Sequence, residues 1–583
     1  MKNKHLLILL IILSVSLSFR LIGLNWDQNQ HLHPDERFLT MVAGALKWPN
    51  SFSQYLDTET SPLNPHNQKF DFYVYGTYPV ILTKFIAYLI NFDDYHHLVL
   101  VGRIISAILD TATVLLIYLV AKKLSSAPIA LWSSFFYAIS VLPIQLSHFF
   151  AVDTYLVFFI TVNFFLFILF YTSFPSRKSY LYALLMGISY GLVLGAKVSG
   201  LIVLPVFALG YLILLISYKK ILPIFLSGLI FISFSYLSLR ISMPYLFSNS
   251  QLVTLSLNQK VLNNWKDLKY QSQPNHYLPP STQWINVAKG WFPFVNLVSV
   301  GLGLPLAAFC VLGVFISPLL KPKRPLIYLT SFLVLSIFGY QSFQFAQPMR
   351  YFYPIYPFLS ILGGILTGLL STKFNWLKWI LVPAFLVWPL SFISIYTRLH
   401  SRVSASVWIY ENIPPGSTVS CDYWDDCLPL PIPELATHNY QTLELHLYDQ
   451  DTTAKWLKLT SQLKSIDYLL LTSNRLYGSI MSDPDYYPIT NRFYTSIFNG
   501  SLGFEKIAEF SSRPNIPFPN LKTCLPVLST EYGIPVQPLQ ECNLSGISFV
   551  DDYVDETFTV YDHPKVLIFR NTRTGLPVNF SID

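Results

Sequence analysis

The sequence predicts a mainly α-helical bundle that crosses a membrane many times, followed by an α/β domain outside it. Three observations carry this expectation. Only 12% of the 583 residues are charged and 52% are hydrophobic, where a soluble chain carries about 25% charged residues. Apolar runs of bilayer-crossing length, about 20 residues, recur from the N-terminus to near residue 396. Beyond that point the runs shorten and alternate, and four of the five cysteines (Cys421, Cys427, Cys524 and Cys542) lie in this tail.

The first expected span covers residues 5–24. Lys2 and Lys4 precede it as in a secretory signal, but no small-x-small cleavage site follows, so it reads as an uncleaved helix. Further spans are expected near 99–121, 127–147, 154–172, 180–196, 200–218, 221–241, 295–319, 325–345, 352–371 and 378–396. The run 78–90 is short and contains Lys84, and reads as a re-entrant or interfacial helix. With the N-terminus inside, the basic clusters Lys122-Lys123, Arg177-Lys178, Lys219-Lys220, Lys321/Lys323/Arg324 and Lys373 all fall on the inner side. Counting 78–90 as a span would move Lys122 and Lys123 outside and break that pattern. The expected topology is therefore about eleven spans, N-in and C-out, in the cell membrane.

Residues 1–398 then form a transmembrane domain with outer loops at 25–98 and 242–294, and residues 399–583 form an extracytoplasmic domain. In the tail, a helix at 452–463 leads to a strand at 467–472, and 503–510 and 557–570 supply further strands, the pattern of a small α/β domain. The pairs 421–427 and 524–542 can oxidise outside the membrane, although four cysteines permit three pairings. Cys310 lies in a span. The formal charge of +7 is accounted for by the inner-loop clusters, so it implies membrane lipids and no nucleic acid as partners. There is no metal-type CxxC spacing, no phosphate-binding loop, no GxGxxG fingerprint and no inverted repeat of the transporter type.

Candidate chemistry begins directly after the first span, at His33-Pro34-Asp35-Glu36-Arg37. Proline followed by two acids is also the signature of a helix start. Ionisable residues within or near the spans cost about 2.5–3.5 kcal/mol at a helix centre and tend to mark function. Here they are Arg103, Asp110, Asp153, Lys197, Arg240 and Arg350. All but Asp110 fall near the outer ends of their helices, level with Asp35 and Glu36. Simpler roles stand beside each: an Arg103–Asp110 interhelical pair, snorkelling of Lys197 and Arg240, a helix cap at Asp153. Arg350 is harder to reduce in this way, because Arg350-Tyr351-Phe352-Tyr353-Pro354 opens a span with a cation among phenols. Carboxylates in an outer loop and cations at the outer rim suit a reaction between a lipid phosphate and an external acceptor, with one base for a hydroxyl and guanidinium forks for the departing phosphate. A transporter or flippase of a lipid-linked substrate would use the same rim charges, but would want ionisable groups or helix breaks at the midplane. A membrane-anchored sensor would not need so many spans.

Several short stretches in this order resemble the GT-C superfamily of lipid-carrier-dependent glycosyltransferases, and within it bacterial relatives of the protein O-mannosyltransferases and the aminoarabinose-lipid A transferase. They are His33-Pro34-Asp35-Glu36, Gly102-Arg103-Ile104-Ile105-Ser106 with Asp110, Phe150-Ala151-Val152-Asp153-Thr154-Tyr155, Gly191 to Lys197, and Met349-Arg350-Tyr351-Phe352-Tyr353-Pro354-Ile355-Tyr356-Pro357. The resemblance covers about residues 5–400. It implies an inverting transfer of a hexose or pentose from a polyprenyl-phosphate sugar to a lipid, glycan or protein acceptor. Asp35 would be the base, with Glu36 orienting the acceptor or assisting. Arg350, Arg103 and Lys197 would hold the carrier phosphate, with Asp153, Tyr351 and His33 completing the substrate site. No cofactor is required, and a divalent metal at His33 and Glu36 stays open. The tail lacks the Trp-Trp-Asp signature of oligosaccharyltransferases and does not read as a β-trefoil. Its clusters Trp424-Asp425-Asp426 and Tyr561-Asp562-His563-Pro564 can stack and hydrogen-bond a sugar, or serve as ordinary turn residues.

Overall fold

A computed structural model of the chain describes residues 2–275, 278–320, 325–433, 435, 439–530 and 543–572. The basic cluster at 321–324 and Cys542 lie outside the described residues. Among the described residues, nine helices are long and apolar enough to cross a membrane, or ten if the bent pair Ala127–Ala138 and Val141–Ser147 is one span. The chain is a multi-pass membrane protein of mainly helical fold with a C-terminal α/β domain.

Two departures from the expected spans have local causes. Ala127–Ala138 and Val141–Ser147 meet at 57°, because Ser140 between them is extended and Pro143 sits in the first turn of the second helix. That bend delivers Phe149 and Phe150 to the end of the bundle where the acidic loop lies. The expected span 295–319 is broken into Trp291–Gly301 and Leu304–Leu320. Gly303 sits at φ +81 in the break, and a Cβ there would lie 2.8 Å from the Trp388 ring, so only glycine lets the chain turn against that indole. The segment Tyr78–Leu89 is a 12-residue helix, too short to span.

The C-terminal domain carries a five-stranded sheet in the order β2-β1-β3-β8-β4. These strands are β1 (Thr418–Asp422), β2 (Gln441–Leu445), β3 (Tyr468–Leu471), β4 (Phe504–Phe510) and β8 (Val566–Asn571). β1 runs parallel to β2 and β3, whereas β8 is antiparallel to β3 and β4. A second sheet, β5-β7-β6, joins β5 (Asn515–Ile516), β6 (Lys522–Pro526) and β7 (Gly546–Val550). The expected helix appears as Thr453–Ser465, capped by Thr452. The stretch 557–570 is strand only in its second part. Asp555 caps a helical turn at Glu556–Thr559 by accepting from the Thr557 N–H, which takes the first part out of the sheet. Cys421 and Cys427 are disulfide-bonded.

The tail docks on the end of the bundle that carries the helix Pro34–Ala45. Asp562 accepts from the Gln145 amide at 3.0 Å and from the Tyr396 hydroxyl at 2.7 Å. Arg402 pairs with both Asp425 and Asp426, and Arg37 pairs with Asp426 at 2.8 Å. Burial alone would lower His563, but the flanking carboxylates of Asp562 and Asp551 hold it up at about 10. It therefore sits as a cation between two acids of the tail itself. Asp426 (to Arg37) and Asp562 (to Gln145 and Tyr396) join the domains, whereas Asp425 and His563 make their ion pairs within the tail; of the two clusters, Tyr561 alone reaches the residues described next.

Candidate active site

The acidic loop becomes a helix at Pro34, with Pro34 at the first position and His33 as the N-cap, whose Nδ1 accepts from the Glu36 N–H at 3.3 Å. Proline needs no partner for its missing N–H there, and the two acids of the first turn favour the positive end of the helix. His33 is held between the rings of Tyr561 (4.2 Å between centroids) and Phe149 (4.5 Å). Burial lowers its pKa to about 4, so it is neutral at pH 7.

Asp35 and Glu36 then diverge. Glu36 is fully buried, and its two oxygens meet the Arg103 guanidinium and the Phe150 N–H at 2.7 Å. The same guanidinium donates to both oxygens of Asp27, at 3.1 and 2.9 Å, and to the Leu24 carbonyl, while the Trp26 ring lies 4.9 Å from it. Arg103 is 0% exposed. One cation thus serves two carboxylates. Burial raises Glu36, and the neighbouring Asp27 adds to that rise. Asp27 is lowered, because Arg103 and its hydrogen bonds outweigh burial.

Asp35 instead forms an ion pair with Arg350, each side chain about a quarter exposed (25% and 26%). Burial would raise this carboxyl, but the charge of Arg350, with His33 and Lys197 behind it, holds Asp35 well below the usual carboxylate range. A second pair stands beside the first: Lys197 donates to Asp153 at 2.8 Å. The Tyr351 ring links them, with Lys197 Nζ 5.2 Å and the Arg350 guanidinium 5.8 Å from its centroid. Tyr75 lines the same place. Burial raises its phenol far above the ordinary value, with the Asp35 charge adding to the shift.

Backbone geometry sets these positions. Lys197 ends the helix Lys178–Ala196 in extended conformation, and the Gly76 N–H donates to the Ala196 carbonyl at 3.0 Å. A Cβ on Gly76 would lie 1.7 Å from the Gly195 carbonyl oxygen, so glycine alone lets the Tyr75 loop meet the Lys197 helix end. Arg350 begins a 3₁₀ turn, Met349–Ile355, whose first N–H is held by the buried Asp555 carboxylate at 3.0 Å.

Asp35, Arg350, Lys197, Asp153 and Tyr351 thus come together as one polar cluster. Arg103 and Glu36 do not join it. Arg103 has no edge left for a phosphate, and both Glu36 oxygens are occupied, so neither matches the substrate role expected of it. The His33–Glu36 pair does not fit a metal either, since His33 Nδ1 caps the helix and Glu36 is bound to Arg103. Among the described residues no group of three or more His, Cys, Asp or Glu is placed to hold a metal ion. Asp110 pairs with Arg20 at 2.6 Å, closed by the hydroxyls of Tyr137 and Tyr353, rather than with Arg103. Arg240 does not snorkel; it is buried and donates to the carbonyls of Leu56, Pro244, Asn249 and Gln251. Sequence reasoning missed Asp27 and Tyr75 as neighbours of the site, and named Tyr561 only as part of a tail cluster able to stack on a sugar. Asp27 was legible as a third acid in the same loop.

Residues 73–249 match the family model described as dolichyl-phosphate-mannose-protein mannosyltransferase, a segment that contains Tyr75, Asp153 and Lys197. An oligosaccharyltransferase of Archaeoglobus fulgidus, solved with Zn and sulfate, superposes with a TM-score of 0.50 at 14% identity, over 86% of this chain and 72% of that one. AglB of the same organism, solved with an inhibitory peptide and a dolichol-phosphate, gives 0.50 at 13% identity over 87% and 73%. The fold is similar to that of these two archaeal structures. ArnT of Cupriavidus metallidurans, solved bound to undecaprenyl phosphate, covers 86% of this chain and 96% of that one at 12% identity, with a TM-score of 0.46. No curated protein matches the chain significantly. The resemblance to lipid-carrier glycosyltransferases expected from the short motifs therefore holds for the family segment and the fold.

Proposed function

We propose that the chain moves a sugar from a polyprenyl-phosphate carrier to an acceptor hydroxyl, by inverting single displacement with Asp35 as base. The observation that carries this reading is the part-exposed Asp35–Arg350 pair standing beside Lys197–Asp153. A carboxylate for the acceptor and two cations for a phosphate share one cleft, at the end of the bundle where the tail docks. The positive-inside pattern of the basic loops supports an extracytoplasmic position for that end. The mannosyltransferase family segment and the dolichol-phosphate in the AglB structure support the class of donor.

The resting geometry explains how a depressed carboxylate becomes a base. Paired with Arg350, Asp35 is a weak proton acceptor. A donor phosphate offers Arg350 a better bidentate partner. As the guanidinium turns to it, burial is no longer opposed and the basicity of Asp35 rises. Asp35 then takes the proton of the acceptor hydroxyl as its oxygen bonds to the anomeric carbon. The bond from that carbon to the phosphate oxygen breaks, and the electron pair leaves on the carrier phosphate, facing Arg350 and Lys197. Deep in the bundle, the Arg20–Asp110 pair closed by Tyr137 and Tyr353 suits a structural core better than a transport path.

The test is to incubate purified wild type and Asp35→Asn with polyprenyl-phosphate sugars and measure release of the carrier phosphate. Wild-type release with loss in the variant is expected. No release with any donor overturns the enzyme reading, and full activity of Asp35→Asn overturns the base.

A further inference from the structure

A pocket away from Asp35 has no part in the chemistry above. It encloses about 670 Å³, within the size range of small-ligand sites. One wall comes from segments that connect the bundle helices, with Trp284, Lys289 and Phe345. The other comes from the C-terminal domain, with Tyr448, Asp483 and Tyr486. Asn286 donates to the Ser482 carbonyl at 2.8 Å and the Ser482 hydroxyl to the Thr282 carbonyl at 3.2 Å, so the two walls are fastened to each other.

The lining is specific in its chemistry. Aromatic rings dominate, and Tyr486 is 45% exposed. Asp483 is an acceptor and Lys289 a donor within the same space. A lipid tail would leave Asp483 and Lys289 without partners, and a phosphate would be repelled by Asp483. A saccharide meets every feature: its C–H faces lie on aromatic rings, and its hydroxyls both donate to a carboxylate and accept from N–H groups.

A chain of side-chain contacts runs from the pocket wall to the Asp35 helix. Next to Trp284, the Gln283 amide donates to Glu556 at 3.3 Å. Glu556 accepts from Arg475 at 2.7 Å, Arg475 lies over the Tyr561 ring, and Tyr561 packs on His33, the residue that caps the Asp35 helix.

We propose that this pocket binds the saccharide portion of the acceptor, an inference that rests on the glycosyl-transfer reading. The ligand lies across the seam between bundle and tail, with a ring stacked on Tyr486 and hydroxyls on Asp483 and Lys289, and its growing end extends toward Asp35.

Direct binding tests this apart from activity. The full chain in lipid nanodiscs, free of sugar-headed detergent, is titrated with mannopentaose, maltopentaose and N-acetylchitopentaose, and with a neutral pentapeptide, by saturation-transfer NMR and tryptophan fluorescence. At least one oligosaccharide is expected to bind at millimolar concentration. Tyr486→Ala and Asp483→Asn, each checked for an unchanged melting temperature, weaken it about tenfold, a loss typical of one aromatic face or one charge-assisted hydrogen bond. Asp35→Asn leaves it unchanged. Binding of none of the sugars, binding indifferent to Tyr486 and Asp483, or preference for the peptide overturns the proposal. Saccharide binding without carrier-phosphate release by wild type overturns the transfer reading and the acceptor role with it, and leaves the pocket as a saccharide site.

Discussion

Asp35 and Glu36 are consecutive residues with the same chemistry and opposite surroundings. In the first turn of a helix, successive side chains point about 100° apart, so one acid faces the cleft and the other faces the bundle. Glu36 meets Arg103 in a site with 0% exposure on both sides, shared with Asp27. Asp35 meets Arg350 with a quarter of each side chain open. A sealed ion pair has no edge for a ligand, and its value is positional: Arg103 ties the acidic loop, the helix it introduces and its own span into one unit. An open pair can exchange partners, which is what a phosphate-dependent base requires. A rim cation can bind a phosphate only where part of its guanidinium remains free.

Activity and stability should separate along this line. The largest effect is expected from Asp35→Asn, which lowers transfer by about 10²–10⁴-fold with little change in melting temperature; a fall in both would make Asp35 structural. Arg103→Gln strands two buried carboxylates, and a loss of about 3–5 kcal/mol is expected, read as a collapse of the unfolding transition in nanodiscs. An unchanged transition with weakened donor binding would instead return Arg103 to the substrate. Arg350→Lys keeps the charge and removes the fork. The donor KM should rise about tenfold, equivalent to about 1.4 kcal/mol, with a smaller change in kcat.

The smallest effect concerns the cap beneath both acids. Burial lowers His33 from 6.5 to about 4, so between these values the unfolded chain binds a proton that the folded chain does not. Stability contributed by neutral His33 is therefore complete above pH 6.5 and lost as pH falls toward 4. His33→Asn retains a capping oxygen without the titration. Its unfolding temperature should fall less steeply than that of wild type over this window, and parallel curves would place the acid sensitivity elsewhere.

The acids of the first turn, the proline before them and the level of Lys197, Asp153 and Arg350 were all readable along the chain, because span length and loop charge fix the depth of a residue in a helical bundle. Depth is one coordinate only. Arg103 lies at the same level as Arg350, yet its azimuth turns it onto Asp27 and Glu36, which no periodicity within one helix reveals. Arg240 was misread for the same reason, since its partners are carbonyls of distant loops. Tyr561 stood out as an aromatic beside acids, but its place over His33 depends on how the tail docks, through Asp562 to Gln145 and Tyr396.

From sequence alone came the helical bundle, its tail domain and the helix that presents Asp35, because apolar run length, capping chemistry and strand alternation are local properties. Tertiary structure decided which of two neighbouring acids is open. That choice depends on which guanidinium lies across from each one, and those guanidiniums are 67 residues from Glu36 and 315 from Asp35.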